Sequence, residues 1–214
     1  MDRFLLTLNM LSPLITGGGF MTLDALLAAI LFDEHEDLER AHQEIPLRCT
    51  NGLWHASAAI FERQDTGRFA FVANLRAMHD LDPDLVAKNA QGRLHRSLGL
   101  TRRRDFGAVM NSYSMISVST ISWYAEGDAS AIEKLISGVH FIGKRRANGF
   151  GEIRSFSIEP AELDGLLGNF GEPLRPTPEA CFAGDKKSLR ADAAWKPAYW
   201  HPDNRAICFV PSSS

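Results

Sequence analysis

The chain has 214 residues, 45% of them hydrophobic, and carries 23 Lys and Arg against 26 Asp and Glu, for a formal net charge of −3. A chain of this size buries one sizeable core, which allows one domain with an elaboration or two small ones; no uncharged apolar run reaches the roughly 18 residues of a membrane-spanning helix, so no membrane partner is expected. The three cysteines, Cys49, Cys181 and Cys208, are odd in number and outside CxxC spacing; they support neither a disulfide framework nor a zinc knuckle and are expected as small buried hydrophobes, with no metal and no cofactor.

Residues 1 to 8 are apolar only briefly and meet Asn9 and Pro13 without a cleavage-like end, so a signal peptide is not expected and a cytoplasmic protein is. Residues 3 to 11 (RFLLTLNML) predict a buried strand. After the triple glycine Gly17 to Gly19, Thr22 is expected as the N-cap of a helix through Leu31, with Asp24 complementing the dipole of its first turn. Residues 33 to 44 are acidic, with Asp33, Glu34, Glu36, Asp37, Glu39 and Glu44 against Arg40 alone. They suit a solvated helix face or a docking face, and His35, His42 and Glu39 within them make only a weak metal-ligand set.

Trp54 to Glu62 and Phe69 to Met78 read as strands joined by a hairpin turn at Gln64-Asp65-Thr66-Gly67. The excursion from 79 to 108 then turns basic: Lys88, Arg93, His95, Arg96, Arg102, Arg103 and Arg104 follow one another with no acid from 88 to 104. A loop this long is expected only where it has a function. A strand resumes over Ser112 to Tyr124, where the alternation slips at Met115-Ile116 and Thr120-Ile121 and predicts a bulge. Asp128 caps a short helix with Ile132, Leu135 and Ile136 on one face, ended by Gly138. Val139 to Ile142 lead into a loop, "GKRRANGFG", and Glu152 to Ile158 form a further strand.

The order is β-α-β-β-(basic excursion)-β-α-(glycine loop)-β, an α+β, ferredoxin-like (RRM-like) βαββαβ arrangement over residues 1–159 with a basic insertion at 79–111. Seven of the ten prolines lie from 160 onward, so 160–214 is expected as an extended tail packed on the domain. Trp195, Tyr199 and Trp200 are its expected anchors, and Ala206 to Val210 its one late strand.

The glycine loop lacks the third glycine of a dinucleotide fingerprint and precedes a strand rather than a helix; the P-loop pattern is absent. What remains is a backbone free to approach a ligand closely at Gly143, Gly149 and Gly151, charged by Lys144, Arg145 and Arg146. Two basic segments on a mildly acidic chain suggest a local polyanion site, because phosphate neutralisation depends on local charge. Phe150 fits either stacking on a base or plugging the core beneath the loop.

"GKRRANGFGEI" ahead of the last strand of such a domain resembles the glycine-rich loop of the RAMP superfamily of CRISPR-associated RNA-binding proteins. "SPLITGGGFMTLDALLAAIL" resembles the opening of one branch, the fifth family of Cas proteins, in the form found in type IV effector complexes. The resemblance implies a ribonucleoprotein subunit that holds the 5′ handle of the crRNA, caps a filament of backbone subunits, contacts the large subunit and supports RNA-guided DNA targeting beside the PAM. It implies that Gly143 to Gly151 contact RNA, with Asn148 bonding a base or 2′-OH, and that Lys88 to Arg104 occupy the place of the family's thumb.

Some relatives cut precursor RNA, which requires a general base near a 2′-OH and an acid near the leaving oxygen. His55, His79, His95 and His140 are the candidates, with Tyr113 and Tyr124 as helpers, and no pair is set by spacing. A non-catalytic binder is therefore the expectation, with a metal-independent guide-processing nuclease of the same fold and a ferredoxin-like protein-interaction module as alternatives.

Overall fold

The computed structural model describes residues 1–73, 91–92 and 109–212. Its contacts divide the chain into two units, Met1–Thr66 with Met115–Ser214 and Gly67–Ser114. The fold is α+β with antiparallel sheets and few helices.

In the first unit β1 (Asp2–Met10) alternates as its sequence demands, Phe4, Leu6, Leu8 and Met10 buried and Arg3, Leu5, Thr7 and Asn9 on the other face. It pairs antiparallel with β6 (Val109–Gly127), Asp2 opposite Gly127 through Asn9 opposite Thr120, and on its other side with β7 (Ile153–Pro160). The β1–β7 register shifts between Asn9 and Met10, whereas the β1–β6 register runs unbroken from Thr120 to Gly127. The two-residue β2 (Leu14–Ile15) also pairs with β6, opposite Ile116 and Met115, and β5 (Ile60–Ala73) is a further partner of β6.

Helices α1 (Leu23–His35) and α3 (Ala129–Ser137) cover one sheet face: Leu23, Leu27, Leu31, Ile132 and Ile136 join Phe4, Leu6, Leu8, Ile121 and Trp123 in one core. Each fully buried Leu or Ile contributes about 1.5–3 kcal/mol. Asp128 caps α3 through a bond from Ala131 N–H at 3.0 Å, and Gly138 ends it, as the sequence predicts. A short α2 (Leu38–Gln43) and a hairpin of β3 (Cys49–Thr50) and β4 (Leu53–Trp54) fill the connection from α1 to β5.

Five expectations change. Gln64 to Gly67 do not form a hairpin turn: β5 is continuous from Ile60 to Ala73, and Gly67 does not take the positive φ that a tight hairpin requires. Thr22 stands at the N-cap of α1 but its hydroxyl donates to Tyr199 Oη at 2.8 Å instead of capping, while Asp24 lies in the first turn as expected and is buried there. The tail is more than one late strand, because β8 (Thr177–Pro178), β9 (Arg190–Ala194) and β10 (Arg205–Phe209) make a three-stranded sheet in the order β8-β10-β9. Tyr199 anchors it through part-buried hydrogen bonds, whereas Trp200 is 74% exposed. Of the cysteines only Cys208 is buried, its thiol pushed up to about 11 by that burial, while Cys49 and Cys181 are exposed.

In the second unit Phe69 and Phe71 stack at 5.7 Å, and Phe71 stacks on Tyr113 at 6.0 Å. Among the described residues no helix is long and apolar enough to cross a membrane.

Candidate nucleic-acid interface

The loop opens at Ile142, which is 2% exposed, and closes where Ile142 N–H donates to Gly151 O at 2.9 Å, so 143–150 form a bounded excursion. Its two ends are stitched to the segment that follows β1. Lys144 N–H donates to Ile15 O at 2.7 Å, Gly151 N–H to Pro13 O at 2.9 Å and Leu11 N–H to Glu152 O at 2.8 Å, while Ser12 Oγ accepts from Glu152 N–H at 2.8 Å.

Between these anchors the backbone repeatedly takes the left-handed region: Gly143 at φ 80°, Arg145 at 62°, Gly149 at 82° and Gly151 at 75°. A 3-10 turn over Arg146–Asn148 sits inside, with Gly149 N–H donating to Arg146 O at 2.9 Å. Gly151 leaves no room for a side chain, because a Cβ there would collide with the Ile142 carbonyl oxygen; at Gly143 it would meet the Leu14 side chain and Ile15 O. Arg145 is not glycine, and a left-handed L-residue costs roughly 1–2 kcal/mol. Such strain persists where surrounding bonds over-determine it, and it clusters at functional sites.

Lys144, Arg146, Asn148 and Gly149 are exposed, and Arg145 and Phe150 are half-buried. The end of Lys144 lies over Gly17, where an added Cβ would stand 3.0 Å from its Cε and Nζ, so the two glycine segments of the sequence meet at this lysine. Arg146 Nη1 is 3.7 Å from Asp33 Oδ2, an exposed pair worth well under about 1 kcal/mol that a phosphate can displace. The loop thus offers cations, an amide and closely approachable backbone on one rigid rim. Lys88, Arg93, His95, Arg96, Arg102, Arg103 and Arg104 lie outside the described residues.

Beside the loop, Met21, Ala25, Ile30, Leu135 and His140 line a largely apolar groove of about 840 Å3 that ends at Arg146 and Asp33. His140 makes no side-chain hydrogen bond there among the described residues. His55 is 6% exposed, with Nε2 3.0 Å from Thr50 Oγ1 and Nδ1 3.2 Å from Asp164 Oδ2. It also lies near Glu126, across from Arg3, whereas the loop is fixed at Leu11; eight strand residues separate those levels by roughly 26 Å. His55 is a structural group with both ring nitrogens engaged.

His55, Glu126 and Asp164 hold ligand-type atoms within 4.8 Å of one another. Glu126 already accepts from Arg48 Nη1 at 2.7 Å and Arg3 Nε at 3.2 Å, and these two guanidinium groups oppose a cation there. Burial pushes the Glu126 carboxyl up, but the bonds from Arg48 and Arg3 prevail and hold it below its ordinary value. Of the acidic segment's histidines, His35 on α1 pairs with Glu44 at 2.9 Å, and His42 lies on α2.

Burial holds both His55 and His42 below the ordinary value of 6.5. The unfolded chain then takes up protons first, so stability is complete above pH 6.5 and falls as pH drops through 6.5 toward the depressed folded values. Urea melts from pH 7.5 to 5 should show that fall, and His55→Gln should flatten it in part, His42 supplying the remainder; an unaltered slope would contradict the burial argument.

Two features escaped sequence reasoning. Arg175, in the proline-rich stretch, is fully buried against Asp24. The signal was Asp24 itself, which falls on the same helical stripe as Leu27, Ala28 and Leu31 and so needed a buried partner. The second is the contact of Ser119 and Thr120 with Glu62, which depends on strand pairing that the mistaken hairpin concealed.

A family profile described as CRISPR type IV associated protein Csf3 matches residues 6–211. No curated protein matches the chain.

Proposed function

From the premise that the chain belongs to the Csf3 family of type IV CRISPR-associated proteins, and so works with partners in a type IV CRISPR complex, we propose that it is the non-catalytic subunit that binds the 5′ handle of the crRNA. In this reading it works in the cytoplasm, caps the filament of backbone subunits beside the large subunit, and supports RNA-guided targeting of DNA. The observation that carries the reading is the loop from Gly143 to Gly151, whose left-handed backbone is pinned to the sheet edge and whose Lys144, Arg146 and Asn148 are exposed.

A ferredoxin-like domain of the RAMP type is part of the proposal. The order β1-α1-β5-β6-α3-β7 supports it, with β1 between β6 and β7 and β5 against β6; α2 and the β3–β4 hairpin interrupt it.

Binding needs no bond to break. Lys144, Arg145 and Arg146 neutralise phosphates and release counterions. The glycines let the sugar-phosphate backbone lie against main chain, and the Asn148 amide donates to and accepts from a base edge or 2′-OH. The absence of catalysis is supported by His55 being buried and engaged on both nitrogens far from the loop. Titration of handle-bearing RNA with wild-type protein and with the Lys144→Ala, Arg145→Ala, Arg146→Ala triple variant tests the reading.

A further inference from the structure

The sheet face turned away from α1 and α3 carries hydroxyls and amides. Thr7 Oγ1 and Ser122 Oγ lie 3.0 Å apart, and Asn9 Nδ2 donates to Ser155 Oγ at 3.1 Å. Asn9, Ser12, Glu62, Ser117, Thr120 and Arg154 line a polar groove of about 510 Å3 on this unit. Within it Ser119 Oγ and Thr120 Oγ1 both donate to Glu62 Oε2, each at 2.9 Å.

Consecutive residues of a regular strand point to opposite faces. Two neighbours reaching one oxygen therefore mark a departure from regular alternation, and the burial pattern agrees, passing from Val118 to Ile121. It lies just ahead of the slip expected at Thr120-Ile121, where the pairing with β1 is regular, and such irregularities re-aim side chains beside functional sites. The result is an exposed carboxylate with one oxygen held by two donors, while among the described residues its Oε1 accepts no hydrogen bond. The Thr120 and Ser119 bonds keep Glu62 below its ordinary value, so at neutral pH it accepts and cannot donate.

We infer that this groove seats one guanine of a single-stranded RNA whose backbone is held by the loop at 143–151. The inference rests on the RNA-binding reading above. Guanine is the base whose Watson–Crick edge sets two N–H donors side by side, N1–H and N2–H. Uracil offers one N–H between two acceptors, and adenine and cytosine set an amine beside an unprotonated ring nitrogen. Single-stranded RNA presents that edge to protein. The ionised side chains of the groove, Glu62 and Arg154, balance in charge, which suits a neutral base better than a phosphate or a cationic side chain. The groove also joins the loop directly: Ser12 and Pro13 line it, and they accept the N–H groups of Glu152 and Gly151.

The test is fluorescence anisotropy with labelled (GU)4, (AU)4, (CU)4 and U8 RNA on the full chain, wild type and Glu62→Gln. Wild-type protein should bind (GU)4 about tenfold more tightly than the other three, the discrimination of two N–H groups of one base edge converging on the open Oε1. Glu62→Gln should reduce that ratio to below about twofold with U8 binding unchanged, and Ser119→Ala with Thr120→Val should reduce it by freeing the carboxylate. A wild-type ratio near one, a ratio kept in Glu62→Gln, or equal losses on all four oligomers would overturn the inference. So would a hexa-arginine peptide that binds only the Glu62 protein without any guanine preference, which would assign the groove to a protein partner. Binding to all four oligomers without preference, lost in the triple loop variant, would leave the RNA reading standing and this inference refuted; no binding to any oligomer would refute both.

Discussion

Arg175→Met is expected to lower the unfolding free energy by roughly 3–5 kcal/mol, the effect of breaking a buried ion pair from one side. Nη1 and Nη2 of Arg175 reach Asp24 at 3.2 and 3.4 Å, the carbonyls of Trp54, Ala56 and Trp195 at 2.5, 3.2 and 2.7 Å, and Tyr199 Oη at 2.8 Å. Both charged side chains are fully buried. Burial alone would push the guanidinium down, but the Asp24 charge holds it up, and burial with the same charge pushes the Tyr199 hydroxyl up. One side chain thus ties the start of α1, the connection after β4 and the residues ahead of the last strand.

The variant leaves Asp24 a buried charge with the Tyr199 hydroxyl as its side-chain partner among the described residues, so the doubly substituted Asp24→Asn, Arg175→Met protein should recover part of the loss. Arg175 Nε has no partner among the described residues, a penalty of about 1–3 kcal/mol that the other bonds offset. Urea melts followed by circular dichroism read both effects. A change under 1 kcal/mol in the single variant would mean that the guanidinium is dispensable.

Gly151→Ala is expected to reduce RNA affinity at least about tenfold while the domain stays folded, because a backbone conformation strained by roughly 1–3 kcal/mol will rearrange rather than persist. Relief requires the loop to leave Ile142 and the edge at Pro13. Two controls set the scale. Gly149→Ala meets open space at φ 82°, so only its backbone preference, roughly 1–2 kcal/mol, opposes it. Gly18→Ala has open space and an ordinary φ and should change nothing. Isothermal titration with the three variants orders them; equal affinities would mean that loop geometry plays no part in binding.

The parts of the fold legible from sequence were those set by local chemistry. The alternation of Phe4, Leu6 and Leu8, the Asp128 cap with Ile132 and Ile136, and the glycine loop ahead of β7 all follow from neighbours in the chain. What was misread depends on distant partners. Gln64 to Gly67 carry turn residues, yet pairing along β6 keeps them extended, a tertiary override of local preference. Asp24 was placed in the first turn correctly but its partner, 151 residues away, was hidden, and the proline-rich tail resembled an extended segment because β8 and β10 pair across 30 and 32 residues of chain. At the interface the loop cations were legible by type and spacing. The left-handed Arg145 and the placement of Lys144 against Gly17 were not, since the loop is held by Lys144 N–H on Ile15 O and Gly151 N–H on Pro13 O, partners far away in the chain.

The central claim is that the loop from Gly143 to Gly151 neutralises guide-RNA phosphates. Its most direct test is the salt dependence of handle-bearing RNA binding, measured for wild type and for the Lys144→Ala, Arg145→Ala, Arg146→Ala variant. Each phosphate contact on a single strand contributes roughly 0.7 to the slope of log K against log salt, so the variant should bind more weakly and its slope should be shallower by about 2. A slope and affinity equal to those of wild type would contradict the account and remove the loop from the RNA site.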